Sequence, residues 1–299
     1  MRVIIAGCSG LIGRYLVRER PPDITIIGAT RNNPHDKDLD AWFRTDLTNL
    51  NEVRRLIKKI SPDLIIHAAG ESRVDFVEEN PVLAKESIID STVNLLETAS
   101  SHSVPILYVS SNAVFGASDT PYCVGDDYSP INQYGELKVQ AERLMISYEN
   151  YGYIVRPLLT YGWTSKSQRP CVIEQWRKNL LGKKEIRAIT DVTNQPLYAV
   201  ECASRIWKMA LQKKIRVANI GGPEELSMYS FAQILAQNIG VPENLVIPVT
   251  SAELGLPASR PKRIAYKEEF ENELSPGTRI KPSEGISLMM KSKNLSERN

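Results

Sequence analysis

Short apolar runs alternating with helix-like stretches constrain this chain more than any other feature. Residues 2–6, 24–27, 63–69, 105–110 and 153–156 are rich in Ile, Val and Leu, with little alternation of polar and apolar positions. Strands of that kind need cover on both faces, which is the condition of a parallel sheet between two helical layers. Between the runs, residues 11–17, 49–60, 81–101 and 131–148 read as helices. In 49–60 the side chains of Leu50, Val53, Ile57 and Ile60 form one stripe. Right-handed crossovers then predict an α/β fold, a doubly wound parallel sheet.

The second half is less regular. Residues 199–212 and 227–238 read as helices, and 216–220 as a strand ending at Gly221 and Gly222. From Val241 onward prolines thicken, at 242, 248, 257, 261, 276 and 282, which predicts a smaller C-terminal lobe of short pieces. The expected division is a nucleotide-binding domain over 1–160, with 196–222 returning to it, and a substrate lobe over most of 161–299. Residues 291–299 are polar and are expected to fray.

Gly7-Cys8-Ser9-Gly10-Leu11-Ile12-Gly13 follows the first strand and opens the first helix. In that context one glycine permits a tight turn, a second lets the backbone approach a diphosphate, and a third lets helix pack on strand. The helix N-terminus, at Leu11 and Ile12, offers free N–H groups and the positive end of a dipole. The second strand runs out into Ala29-Thr30-Arg31. Arg31 is a cation where a ribose 2′-phosphate would lie, favouring NADP over NAD, or else an ordinary surface arginine. Asp46 and Leu47 follow. Asp46 either meets an adenine edge or, like Thr48, caps the next helix. The third strand ends in Ala68-Ala69-Gly70, small residues that leave room for a dinucleotide, after a His67 that reads as packed against backbone.

Ser110-Ser111-Asn112 leaves the C-terminal end of the fourth strand, and Tyr134 and Lys138 stand four apart on one helical face. Ser111 can bond a substrate carbonyl while Tyr134 gives that oxygen a proton as hydride arrives. A free phenol titrates at about 10. A nearby Lys138 ammonium and an oxidised nicotinamide are expected to lower that value. Asn112, Arg156 and Arg260 are candidate substrate residues. Each arginine either clamps a diphosphate or forms a structural salt bridge.

Lys and Arg number 37 against 35 Asp and Glu, so bulk charge gives no sign of a nucleic-acid partner. Four scattered cysteines, without a Cys-x-x-Cys pair, and three histidines argue against a metal site. No apolar run approaches the roughly 18 residues of a membrane span. A cytoplasmic protein with no membrane association is expected.

These residues resemble the extended short-chain dehydrogenases/reductases over about 2–265, and within them the dTDP-4-dehydrorhamnose reductase branch. The similar segments include Ser72-Arg73-Val74-Asp75, Tyr134-Gly135-Glu136-Leu137-Lys138 with Glu142 beyond, Asn194-Gln195-Pro196-Leu197-Tyr198, and Arg260-Pro261-Lys262. The resemblance implies a Rossmann fold and catalysis by Ser111, Tyr134 and Lys138. It also implies a diphosphate on Gly7, Gly10 and Gly13, an NADP(H) cofactor with NAD(H) possible, and a homodimer. The implied reaction is reduction of a 4-keto-6-deoxy sugar carried on a nucleotide diphosphate. Asn112 and Gly116 replace two acids usual in the branch, and Ile88 stands where an asparagine is usual. Two alternatives accompany this reading. One is a sugar-nucleotide epimerase of the same superfamily. The other is a non-catalytic regulatory subunit similar to methionine adenosyltransferase beta.

Overall fold

The computed structural model describes residues 1–34, 36–148, 151–165, 168–275 and 279–296. Its strands in chain order begin with β1 (Arg2–Ala6), β2 (Thr25–Thr30), β3 (Ala41–Arg44), β4 (Leu64–His67), β5 (Ile106–Val109) and β6 (Gly152–Pro157). A seventh strand, Val217–Ile220, completes one parallel sheet. The order across it is Val217–Ile220, β6, β5, β4, β1, β2, β3. Chain order reverses at β1: β2 and β3 lie on one side and β4 to β6 on the other. That switch point, at the C-terminal strand ends, is where an open α/β sheet leaves a crevice.

The apolar runs are buried on both faces, as their composition requires. Val3, Ile5, Leu64, Ile66, Leu107 and Val109 belong to one core cluster; Ile4, Ile27, Ile65, Ile106 and Ile154 belong to another. Helices α1 (Leu11–Arg18) and Ala199–Gln212 cover the first face. Helices α2 (Leu50–Ile60), α5 (Ser91–Ser100) and α6 (Gln133–Ser147) cover the second. Two short helices, α3 (Val74–Glu79) and α4 (Pro81–Lys85), precede α5.

The single helix expected over 81–101 is interrupted. Residues Glu86–Asp90 widen into a π turn, and the hydroxyls of Ser91 and Thr92 donate to the carbonyls of Ser87 and Ile88, at 2.6 Å each. Such back-bonding competes with the regular helical ladder. Strand β3 carried no readable signal. It is a four-residue edge strand whose Ala41-Trp42-Phe43 run is too short to display a period. Helix α3 was likewise missed, since six residues are too few to display a period.

After β6 the chain enters the lobe. Strands Ile186–Ile189 and Val246–Val249 pair there in parallel, among helices Val172–Leu181, Met228–Asn238 and Pro282–Ser296. Trp163, Trp176, Phe231 and Met289 share its core, and the Trp163 indole donates to the Met289 carbonyl at 2.7 Å. Helix Ala199–Gln212 returns the chain to the sheet, with Trp207 donating to the Leu16 carbonyl of α1 at 2.9 Å. The tail expected to fray from 291 is helical through Ser296, and 297–299 lie outside the described residues.

Candidate active site

The glycine turn sits at the switch point. Gly7 has φ +84°, and a Cβ there would lie 2.7 Å from backbone atoms of Ala68 and Ala69. The small residues ending β4 are thus what the turn packs against. A Cβ on Gly13 would lie 2.1 Å from the Gly7 carbonyl oxygen, so α1 can approach β1 only without that methyl. Gly10 has more room, with its nearest contact at 3.4 Å. It precedes α1 in extended backbone, and no side chain caps the helix, whose first residues are Leu11, Ile12 and Gly13. The N-terminal amides of α1 are therefore not taken by a capping side chain.

Beside the C-terminal ends of β2 and β3 opens a depression of about 700 Å³, lined by Arg31, Arg44, Asp46, Arg55 and Lys59 around the Phe43 ring. Lys59 stands 4.7 Å from that ring's centre. Four cations against Asp46 and Glu52 make it a basic basin. Asp46 accepts from the Thr48 amide and hydroxyl, at 3.0 and 2.8 Å. The cap of α2 is Asn49, in place of the Asp46 or Thr48 expected. Leu47 is buried, and its carbonyl accepts from Asn94 at 2.8 Å. Gly70, at φ +129°, turns the chain away after Ala69.

Ser111 and Tyr134 are brought together by a feature not singled out in the sequence. A Cβ on Gly135 would lie 2.2 Å from the Ala113 carbonyl oxygen, so α6 packs directly on the short 3-10 turn Asn112–Val114 that follows Ser111. Asn132 caps α6 by accepting from Gly135 at 2.9 Å, which places Tyr134 in its first turn. Ser111 Oγ accepts from the Ala113 amide at 3.2 Å, on the turn against which the start of α6 packs. Asn112 lies half-buried beside it, its Oδ1 3.5 Å from Ser111 Oγ.

Lys138 is buried one turn further on. Its Nζ donates to the Tyr108 hydroxyl at 2.8 Å and the Val109 carbonyl at 3.1 Å, and lies 5.8 Å from the centre of the Tyr134 ring. Burial pulls its ammonium down to about 7, against the opposing pull of Glu142. Tyr134 is 7% exposed, and burial pushes its phenol up to about 12. The nearby Ser111 hydroxyl opposes that rise and the Glu71 charge adds to it. In the protein's own field the shift runs opposite to the lowering expected with Lys138 and an oxidised nicotinamide, because desolvation of the phenolate dominates.

Other readings divide. Arg156 does not face an open diphosphate site. It is 3% exposed, and its guanidinium donates to both carboxylate oxygens of Glu142, at 2.7 to 3.0 Å. It is thus a structural ion pair in place of the substrate clamp. Arg260, 25% exposed, pairs with Asp75 at 2.9 Å and donates to the Ala258 carbonyl. His67 is packed as expected, but against the Thr92 hydroxyl at 3.1 Å where backbone was expected. Burial pulls its imidazole down to about 3. Among the described residues no cluster of His, Cys, Asp or Glu is suited to a metal, and no helix is long and apolar enough to cross a membrane.

The fold is thus a doubly wound parallel sheet with a glycine turn at its switch point and Ser111, Tyr134 and Lys138 gathered beyond the end of β5. The family model described as the RmlD substrate binding domain matches residues 1–273, and the chain belongs to that family. It is 26% identical over 267 residues to methionine adenosyltransferase 2 subunit beta of Rattus norvegicus, covering 87% of this chain and 78% of that protein. It is 24% identical over 266 residues to the probable low-salt glycan biosynthesis reductase Agl14 of Haloferax volcanii, covering 88% of each. In fold it matches the crystal structure of dTDP-4-dehydrorhamnose reductase from Bacillus anthracis in complex with NADP. The TM-score is 0.84 at 24% identity, over 97% of this chain and 99% of that one.

Proposed function

We propose that this protein is an NADPH-dependent reductase of a 4-keto-6-deoxy sugar carried on a nucleotide diphosphate. One observation supports the reading: Gly135 packs α6 against the turn after Ser111, so that Ser111, Tyr134 and buried Lys138 gather beyond the end of β5, in the same sheet whose first strand leads into the Gly7 turn. The residues present suit a dinucleotide. The turn is too close-packed to admit a Cβ at Gly7 or Gly13, α1 has no side-chain cap, and the basic basin follows β2. When bound, NADPH supplies the hydride to C4 of the sugar.

The chain's own residues do the rest. Ser111 and Tyr134 donate hydrogen bonds to the C4 carbonyl oxygen and polarise it. Tyr134 then gives its proton to that oxygen as negative charge develops. A phenol held up to about 12 keeps its proton across neutral pH, which suits an acid. The Lys138 ammonium, oriented by Tyr108 and the Val109 carbonyl, supplies positive charge beside the developing phenolate. Arg260, bridging to Asp75, is the remaining arginine suited to a substrate phosphate.

The test is to mix the protein with NADPH and a dTDP-linked 4-keto-6-deoxyhexose and follow the absorbance of reduced nicotinamide. One NADPH consumed per sugar reduced is expected. Turnover without net consumption would make it an epimerase. A second reading, a non-catalytic regulatory subunit, is favoured by the similarity to a methionine adenosyltransferase subunit beta. Failure of every sugar nucleotide to consume NADPH, with saturable binding to a methionine adenosyltransferase catalytic subunit, would establish that reading instead.

The basic basin gives a separate expectation. Replacing Arg31 or Arg55 by Ala weakens NADPH binding by about tenfold, the order expected for a lost charged hydrogen bond. NADH binding stays within about twofold, because NADH lacks the 2′-phosphate. Fluorescence titration with both nucleotides checks this, and equal losses for the two would remove the basin from the cofactor's site.

A further inference from the structure

Beneath Ser111, Tyr134 and Lys138 lies a buried polar network that the proposed chemistry does not touch. Glu142 is fully buried on α6, one turn beyond Lys138 and two beyond Tyr134. Its carboxylate accepts from Ser110 Oγ at 2.5 Å and from the Tyr128 hydroxyl at 2.8 Å, besides the paired bonds from Arg156. Ser110 is the residue before Ser111. Arg156, on β6, also donates to the Val124 carbonyl at 3.1 Å, and its cation faces the Phe115 and Tyr128 rings at 5.1 and 5.4 Å. Residues 115–132 form the connection between the Ser111 turn and the Tyr134 helix. One ion pair therefore grips the strand end carrying Ser111, the helix carrying Tyr134 and Lys138, and the loop joining them.

A buried pair is weak evidence for stability, since desolvation offsets much of the attraction. Its four-fold satisfaction points to another use. We propose that Glu142 and Arg156 are positioning residues that hold Ser111 in register with Tyr134 and Lys138, with Glu142 the counter-charge to the Lys138 ammonium. This rests on the reductase reading only for its kinetic arm. The groups facing Lys138 are Tyr108 from β5, His67 from β4, and Tyr134 and Glu142 from α6, with Arg156 of β6 behind Glu142. His67 is neutral and the two phenols are protonated at neutral pH, so Glu142 is the one anion in that set. Removing its charge lowers the pH at which Lys138 loses its proton.

The experiment uses Glu142→Gln and the double variant Glu142→Leu/Arg156→Met. Exchange of a buried pair for apolar groups of like volume is often neutral for stability, so the double variant separates folding from positioning. In the double variant kcat on a dTDP-linked 4-keto-6-deoxyhexose is expected to fall about 100-fold, the order set by misplacement of about 1 Å, with KM within about threefold. NMR of protein labelled at lysine Nζ is expected to show the Lys138 titration midpoint below the wild-type one in both variants. That readout needs neither substrate nor turnover. If wild type reduces no sugar nucleotide, the reductase reading fails while the Lys138 midpoint still decides this proposal. An unmoved midpoint overturns it, even with kcat lowered, because that is what a merely structural pair would give. Wild-type kcat in a folded double variant overturns it as well. Should the double variant not fold, Glu142→Gln alone, which keeps the side chain's shape and removes its charge, is read by the same two measurements.

Discussion

Replacing Tyr134 with Phe lowers kcat for sugar reduction by about 1,000-fold, within the range of 10² to 10⁴ for a lost general acid. The change removes one oxygen and keeps the ring, so the apolar packing around it persists. NADPH affinity is expected to stay within about twofold, because the glycine turn and the basic basin are untouched. The pH profile of the wild type adds a sign. Burial pushes the Tyr134 phenol up to about 12, so it keeps its proton across the neutral range and its supply does not limit reduction there. Lys138, drawn down to about 7, is the group that discharges first as pH rises. Reduction therefore declines as pH rises through about 7, while the reverse oxidation, which needs a phenolate, stays slow there. Steady-state kinetics in both directions check this. A Phe variant retaining more than a tenth of the activity would sink the role of Tyr134 as acid.

Gly13→Ala has the second large effect. Its methyl would lie 2.1 Å from the Gly7 carbonyl oxygen and 2.8 Å from Cys8 Cα, both backbone atoms at the base of the turn. No rotamer change relieves a clash with backbone, so α1 must shift off β1. Overpacking costs about 1–3 kcal/mol when side chains can adjust. Here the upper end of that range applies, with a fall in melting temperature of roughly 5–10 °C and loss of NADPH binding as α1 moves. Gly10→Ala, with 3.4 Å to its nearest contact, is the control and should melt within about 2 °C of wild type. Differential scanning calorimetry compares them. Equal melting of the two would show that the turn relaxes freely.

Much of this was legible in the sequence because it follows from local pattern. Strands apolar on both faces required a two-sided cover, and the Gly7 turn announced itself by standing between a strand and a helix. Placement of Ser111 against Tyr134 was not legible physically, because it depends on Gly135 meeting a carbonyl 22 residues earlier, at Ala113. Arg156 illustrates the opposite failure. A guanidinium at a strand's C-terminal end suits a phosphate, but nothing in residue type tells that a glutamate on α6 reaches it first. The same holds for Tyr134's proton affinity. A lysine four residues away is visible in the sequence, whereas the burial that dominates both groups is a property of the packed whole. Strand β3 and the cations Arg44, Arg55 and Lys59 form the basin only once β3 pairs beside β2.

The route of the chain through the lobe has a cost for anyone wishing to dissect this molecule. Strand β6 is buried along all six residues, and its outer neighbour is made only some 60 positions later, after the lobe has been threaded. A fragment ending at 160 would carry the glycine turn, Ser111, Tyr134 and Lys138, yet would present β6 as a bare apolar margin open to pairing with other chains. The two regions are therefore halves of one cooperative object, and a separately expressed nucleotide-binding piece would tend to clump before it could be assayed.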